Sequence, residues 1–241
     1  MNRRGVMTVL GGAAVTWPLT VHAQQPRMPV IGFLDLRSSG ETESVVAGFR
    51  EGLKDAGYVE GQNVIIEHRW AEGQFGRLPA LASELVRRPV SVIFAGGNAA
   101  SLAAKAATTM IPIVFISGGD PVQLGLVVSF NRPGGNATGV NLFTVTLETK
   151  KLELLHDLVP KAVMIGALVN PNNPNAGTVS KDLQVAGRAL GLQLHSVNAG
   201  TEGQIDTALA TIVEQRIDAL LVASDPFFTN RRYQLVTLTT R

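Results

Sequence analysis

Cysteine is missing from the 241 residues of this sequence. Its absence excludes disulfides, thiolate catalysis and cysteine-ligated metal sites. It also excludes attachment of a lipid through a cysteine side chain. If the chain is exported, we therefore expect it to fold without disulfides and to be released without a lipid tether.

An excess of charge of one sign is also missing from most of the chain. The net charge is +2, but residues 1–23 contribute Arg3 and Arg4 and no acidic residue. The rest of the chain therefore carries 19 basic and 19 acidic side chains. A chain with equal numbers of basic and acidic side chains lacks the excess positive charge that binds a polyanion. We therefore expect no nucleic-acid partner.

Recognisable catalytic and nucleotide-binding motifs are absent as well. The sequence contains no G-x-S-x-G, H-E-x-x-H, G-x-G-x-x-G or G-x-x-x-x-G-K-[ST] pattern. Asp35, Asp120 and Asp225 could line a common cleft and carry out acid–base chemistry, but no nucleophile or cluster of metal ligands accompanies them. The sequence therefore predicts a protein that is not an enzyme and that has neither a cofactor nor a metal site.

The first 23 residues have the features of an export signal. Arg3 and Arg4 precede a weakly apolar stretch at 6–21, which is followed by a Val21-His22-Ala23 cleavage site. The stretch is too short and too polar for a stable membrane span. We predict a signal peptide at 1–23, similar to a twin-arginine signal and cleaved near Ala23, and a mature protein in the periplasm. A retained membrane anchor is the alternative.

Strand and helix patterns alternate along the rest of the chain. The first series has strands at 30–34, 62–69, 90–94 and 111–116, with helices at 41–56, 77–88 and 99–108. The second has strands at 163–169, 192–197 and 217–223, with helices around 179–190 and 205–213 and a helical segment at 229–241. Such repeats favour parallel sheets with right-handed crossovers. The predicted fold is α/β, with Rossmann-like lobes at 24–141 and 142–241 and a crossover at 139–146.

Small polar residues follow several of these strands in both lobes. The segments are 35–40, 96–98, 117–121, 170–175 and 224–228. In open parallel sheets, ligands bind beyond the carboxyl ends of the strands. Purely structural roles are the alternative, with Asn98 and Asn175 as helix N-caps, Asn172 in a turn and Asp120 capping a helix that Pro121 begins. Their position at one edge favours a binding cleft.

Several segments of the chain are distinctive. They are GYVEGQNV at 57–64, IPIVF at 111–115, GDPV at 119–122, LGLV at 124–127, RPGGNATGV at 132–140, LVNPNNPN at 168–175 and DPFF at 225–228. Together they resemble one family of ABC-transporter solute-binding proteins, which includes members that bind aromatic amino acids. The resemblance extends from the signal to the end of the chain.

The resemblance implies a type I periplasmic-binding fold that closes on a small solute and docks on a permease in the inner membrane. It implies ligand contacts from Ser38, Gly97, Asn98, Ser117, Asp120, Asn170, Asn172 and Asn175. Asp120 would bind an ammonium group, whereas hydroxyls and backbone N–H groups would bind a carboxylate. We expect the protein to act as a monomer whose partners are the solute and the permease.

Members of that family continue for several more strands and helices beyond the point where this sequence stops. We therefore expect an incomplete second lobe, in which Leu235, Val236 and Leu238 lack much of the surface against which they would pack, because the sequence is a fragment or the gene is truncated. Three alternatives stay open. They are a remnant without function, a Rossmann-like enzyme acting on a small carboxylate, and the ligand-sensing domain of a regulator, which the export signal disfavours.

Aromatic rings that could stack on a ligand are few. Outside the signal, the only tryptophan is Trp70 and the tyrosines are Tyr58 and Tyr233. Phe227 and Phe228 either face the cleft or pack in a hinge or core. Branched or aromatic amino acids and their keto acids are the solutes to test first, and sugars are disfavoured because sugar sites use more aromatic rings.

Overall fold

The structure is a computed structural model that describes residues 28–239. The predicted signal peptide and its cleavage site near Ala23 lie outside the described residues. Within the described part, the alternation of strands and helices follows the sequence pattern, and all strand pairs in the two sheets are parallel. The predicted α/β class with parallel sheets is confirmed.

Five strands form the first sheet, in the order β2-β1-β3-β4-β5. They are β1 (Val30–Asp35), β2 (Ile65–Trp70), β3 (Val92–Gly96), β4 (Ile113–Ser117) and β5 (Ala137–Asn141). The accompanying helices are α1 (Glu43–Asp55), α2 (Leu78–Val86) and α3 (Asn98–Ala107). All residues of β1 after Val30 are buried, as expected for a strand with neighbours on both sides and helices on both faces.

Three strands form the second sheet, in the order β7-β6-β8. They are β6 (Met164–Val169), β7 (Gln193–Asn198) and β8 (Ala219–Val222). Its helices are α4 (Leu147–Leu158), α5 (Ala176–Ala189), α6 (Glu202–Glu214), α7 (Pro226–Asn230) and α8 (Arg232–Thr239). The division of the chain between residues 141 and 142 stays a prediction.

Each sheet has apolar cores on both of its faces because successive strand residues point in opposite directions. On β1, Leu34 packs with Leu85 of α2, whereas the neighbouring Phe33 packs with Phe49 of α1. On β6, Ile165 and Leu168 likewise belong to different clusters. Among the described residues, no helix is long and apolar enough to cross a bilayer.

Two sequence predictions about local structure are wrong. Residues 137–141 form an edge strand that pairs with β4, so the crossover begins after Asn141 and not at Gly139. Residues 121–125 form turns, so no helix begins at Pro121. The carboxylate of Asp120 accepts hydrogen bonds from the N–H groups of Val122 and Gln123 and stabilises the turn instead.

Phe227 and Phe228 belong to the core. Their exposures are 8% and 2%, and both pack in a cluster with Leu168 and Ile205. Of the two roles left open by the sequence, core packing holds for both rings, although Phe227 also lines a small cavity beside Arg37. Of the other rings, Trp70 packs against Phe33.

Candidate functional site

A cavity of about 270 Å³ lies between the carboxyl ends of the two sheets. On the side of the first sheet it is lined by Arg37, Gly96, Gly97, Asn98 and Gly118. On the side of the second sheet it is lined by Asn173, Pro174, Asn175, Ser224 and Pro226. Ligand cavities usually measure roughly 300–1,000 Å³, so this one suits a small solute.

The loop between β3 and α3 brings backbone close to the cavity. Gly97 has φ = +92°, a conformation that residues with a side chain rarely adopt, and it immediately precedes the helix. Gly97, Asn98 and Ala99 line the cavity. The N–H groups of the first helical turn have no partner within the helix, and they favour an anion. The start of α3 is therefore suited to receive a carboxylate.

Asn98 joins this loop to the end of β4. It is the first residue of α3 and not its N-cap, so the N-cap prediction is wrong. Its Oδ1 accepts hydrogen bonds from the Ser117 hydroxyl at 2.8 Å and from the Gly118 N–H at 2.9 Å. The two loops are thus held in fixed positions, and the amide nitrogen of Asn98 is left to act as a donor.

Arg37 is oriented by a buried carboxylate at the end of β1. Its Nε and Nη2 donate to the two oxygens of Asp35 at 3.0 and 2.8 Å, and Asp35 also accepts from the Arg37 N–H at 2.9 Å. Asp35 is only 1% exposed. The hydrogen bonds to Asp35 raise the pKa of the Arg37 guanidinium, against the effect of burial. Arg37 therefore remains charged and lies at the cavity in a fixed orientation.

On the opposite side, Asp225 organises the loop that follows β6. The side chains of Asn170 and Asn173 donate to it at 3.2 and 2.7 Å, and the Phe227 N–H donates at 2.7 Å. Burial raises the pKa of Asp225, and these hydrogen bonds offset part of that effect. Asn175 occupies the N-cap position of α5 without a capping hydrogen bond from its side chain.

Glu148 of α4 is fully buried and holds the loop after β8. It accepts from the Ser224 N–H at 3.1 Å and from Lys151 at 3.0 Å. Lys151 also donates to the Val222 carbonyl at 2.9 Å. Ser224, which lines the cavity, is therefore fixed by the first turn of α4.

Three of the eight predicted ligand residues line the cavity, namely Gly97, Asn98 and Asn175. Ser38 lines an adjacent cavity of about 140 Å³. Ser117 and Asn170 are buried behind the surface and position Asn98 and Asp225.

The other two predicted residues do not line the cavity. Asn172 is exposed and donates its N–H to the side chain of Asn170, as expected for its alternative role in a turn. Asp120 is committed to its own turn. Ligand contacts by Asp120 and Asn172 stay predictions.

Several residues that line the cavity were not among the predicted ligand contacts. They are Arg37, Leu142, Thr144, Asn173 and Ser224. Arg37, Asn173 and Ser224 lie in loops that the strand pattern identifies, but the pattern does not give the direction of a side chain. Among the described residues, no group of three or more His, Asp or Glu side chains could hold a metal ion.

A model of one protein family matches residues 28–238, and its description is ABC transporter substrate binding protein. The chain belongs to this family. Members of the family are binding proteins and not enzymes, as the sequence predicts. Proteins of this family are typically extracytoplasmic.

Similar proteins include a tyrosine-binding protein of Clostridioides difficile, which is 30% identical over 195 residues, or 81% of this chain and 56% of the relative. A crystal structure of a conserved domain protein from Vibrio cholerae is 25% identical with a TM-score of 0.73, covering 80% of this chain and 64% of that one. A Streptococcus pneumoniae domain in complex with L-Trp is 23% identical with a TM-score of 0.76, covering 87% and 70%.

The fold is that of the type I periplasmic-binding proteins, with a second sheet of three strands in the described part. The chain spans a little over half the length of the curated tyrosine-binding relative.

Proposed function

We propose that this chain is the solute-binding component of an ABC importer and that it binds a small solute, an amino acid or similar carboxylate, between its two sheets. The proposal rests on the cavity, because residues from both sheets line it. Arg37, the start of α3 and the amide side chains of Asn98 and Asn175 all face it. Proteins that bind a solute between two lobes place polar groups in this way, with apolar walls around them.

The similar proteins support an amino acid or a close analogue as the solute. One is named as a tyrosine-binding protein, and another was crystallised with L-Trp. The apolar lining, which includes Leu36, Val45 and Phe75, would accommodate a branched or aromatic side chain.

The proposal also covers location and partners. We propose that residues 1–23 direct export to the periplasm and are cleaved near Ala23, and that the mature chain is a monomer that delivers its solute to an inner-membrane permease. Members of this family interact with such permeases.

Thermal unfolding of the chain from residue 24 tests solute binding. A panel would contain amino acids, keto acids and other small carboxylates. A solute that binds only the native state at one hundred times its Kd adds about 2.7 kcal/mol to the free energy of unfolding. We expect a saturable increase in Tm with one class of solute.

A matched pair of variants shows where the solute binds. Val145 lines the cavity, whereas Val185 is exposed on α5. Val145→Trp should fill the cavity and abolish the increase in Tm, and Val185→Trp should leave it unchanged. An increase that persists in Val145→Trp, or a cooperative melt with no increase for any solute, would contradict the proposal.

A further inference from the structure

The charge that lines the cavity is basic. Of the described residues that line it, Arg37 is the only one that carries a charge, and no carboxylate is among them. Two further groups beside Arg37 are donors, because Asn98 uses its Oδ1 internally and keeps its amide nitrogen free, and because the start of α3 presents N–H groups. The cavity is therefore built to receive negative charge.

Arg37 keeps donors available after it pairs with Asp35. Nε and Nη2 are bound to that carboxylate, but Nη1 has no hydrogen-bond acceptor among the described residues. A guanidinium has five N–H donors in a planar array that matches a carboxylate. Because Asp35 fixes the plane of the group, little conformational entropy is lost when a second carboxylate binds to its free edge.

A zwitterionic amino acid would also need an acceptor for its ammonium group, and the buried carboxylates of the surrounding loops are bound to other groups. Asp35 is buried against Arg37, and Asp225, which lines a neighbouring cavity, is bound by Asn170 and Asn173. Glu148 lies fully buried and paired with a lysine.

Three further acids lie in loops near the cavity but do not line it. Glu72 is exposed and lines the adjacent cavity together with Ser38 and Glu41. Asp120 accepts two backbone N–H groups within its own turn. Glu41 accepts from the Ser38 N–H at 2.8 Å and lies 3.9 Å from Arg231, and it faces the neighbouring cavities. An ammonium group in the main cavity would thus be desolvated beside a guanidinium and a helix N-terminus, without a carboxylate partner.

We infer that the site selects organic acids that lack an ammonium group, and keto acids with a branched or aromatic side chain in particular. This inference rests on the proposed function and narrows its solute class. Arg37 binds the carboxylate, and the oxo group accepts a hydrogen bond from the start of α3 or from the Asn98 amide. The apolar side chain lies against the wall formed by Leu36, Val45, Phe75 and Val145.

Paired solutes that differ only in the amino group provide the test, measured by isothermal titration of the chain. The pairs are phenylpyruvate with phenylalanine and the keto acid of leucine with leucine, and phenylethylamine serves as the solute without a carboxylate. We expect each keto acid to bind at least about tenfold more tightly than its amino acid, and phenylethylamine not to bind.

A pair of variants assigns this preference to Arg37. Asp35→Asn combined with Arg37→Gln removes both charges, so that no buried ion is left unpaired, and should weaken keto-acid binding by about tenfold or more. Arg132→Gln is the control, because Arg132 is exposed and its side chain makes no hydrogen bond or ion pair within residues 28–239.

The comparison of keto acids with amino acids on the wild-type chain distinguishes failure of the keto-acid preference from failure of the proposed solute binding. If an amino acid binds as tightly as its keto acid, or more tightly, the inference is overturned while the proposed function stands. If no carboxylate of either kind binds, both are overturned. Keto-acid binding that is unchanged in the double variant would remove Arg37 from the site and overturn the inference as well.

Discussion

At the scale of single residues, the absence of a side chain at position 96 is what allows Arg37 to be oriented. A Cβ at Gly96 would overlap the carboxylate of Asp35, which three hydrogen bonds hold in place. We expect Gly96→Ala to lower the free energy of unfolding by about 1–3 kcal/mol, as overpacking does, and to weaken solute binding through displacement of Arg37. Chemical denaturation and calorimetry measure the two effects.

The control for that variant is an alanine at an open helical position. Gly52 lies in α1, and a Cβ there would meet no atom within 4 Å. Gly52→Ala should raise stability by about 0.5–1 kcal/mol and leave binding unchanged. If Gly96→Ala also raised stability and left solute binding unchanged, Asp35 would not be fixed as described.

Asp225 and Asp218 should respond to pH in opposite directions. Burial raises the pKa of Asp225 above its ordinary value of 3.8, so the folded state binds the proton more tightly than the unfolded state. Its contribution to stability therefore falls as the pH rises from 3.8 through the folded-state pKa. Hydrogen bonds from the N–H groups of Met164 and Val163 lower the pKa of Asp218, so its contribution is lost as the pH falls below 3.8.

Asparagine substitutions separate these two contributions. Asp225→Asn should remove the part of the decline in stability that occurs above pH 3.8, whereas Asp218→Asn should remove part of the decline on acidification. Urea denaturation between pH 3 and pH 7 measures both slopes. Equal slopes for the wild type and Asp225→Asn would contradict the assignment to Asp225.

The sequence predicts the loops of the site better than the residues within them. Arg37 and Asp120 both follow buried strands, but only Arg37 lines the cavity. The difference is local, because Asp120 bonds to N–H groups two and three residues onward, whereas Asp35 turns Arg37 toward the cleft. An aspartate before proline is a common signal for such a turn and would have identified the role of Asp120.

At the scale of secondary-structure elements, α4 stabilises the cavity through its first turn. Glu148 is fully buried and Lys151 partly exposed, and together they connect α4 to the end of β8. Lys151→Met should cost about 3 kcal/mol because it leaves a buried carboxylate without its cation. Thermal and chemical denaturation would show this loss.

Two further variants test the explanation. Glu148→Gln combined with Lys151→Met removes the unpaired charge and should restore part of the stability. Lys150→Met removes an exposed lysine that pairs with Glu153 and should cost less than about 1 kcal/mol. A double variant no more stable than Lys151→Met would show that the charge is not the cause.

Most elements could be predicted because they bury continuous apolar runs, but β5 and α4 are absent from the predicted series. The reason is clear for β5. Strand β5 has the sequence Ala-Thr-Gly-Val-Asn, and only Ala137 of its residues is buried. An edge strand with one neighbour buries little apolar surface, so its pattern resembles that of a loop. Its assignment depends on pairing with β4, which periodicity does not reveal.

At the scale of the whole molecule, β5 leaves an apolar edge exposed. Val140 is 58% exposed, and Leu142 and Phe143 nearby are more than half exposed. Unpaired strand edges promote association between copies. We expect a monomer at low concentration and faster sedimentation as the concentration rises.

A lysine at the edge should suppress this association. Val140→Lys places a charge on β5, whereas Val185→Lys places one on the exposed face of α5 as the control. Sedimentation velocity over a concentration series should show weaker association only for Val140→Lys. Equal association in both variants would exclude β5 as the contact.

The contact between Asn175 and Gly119 joins loops from the two sheets beside the cavity. A Cβ on Gly119 would overlap the Asn175 side chain, so the two loops touch with no space between them. The contact therefore closes the cavity on this side, and a solute can leave in this direction only when the loops separate. A change that widens the contact would open a second route to solvent.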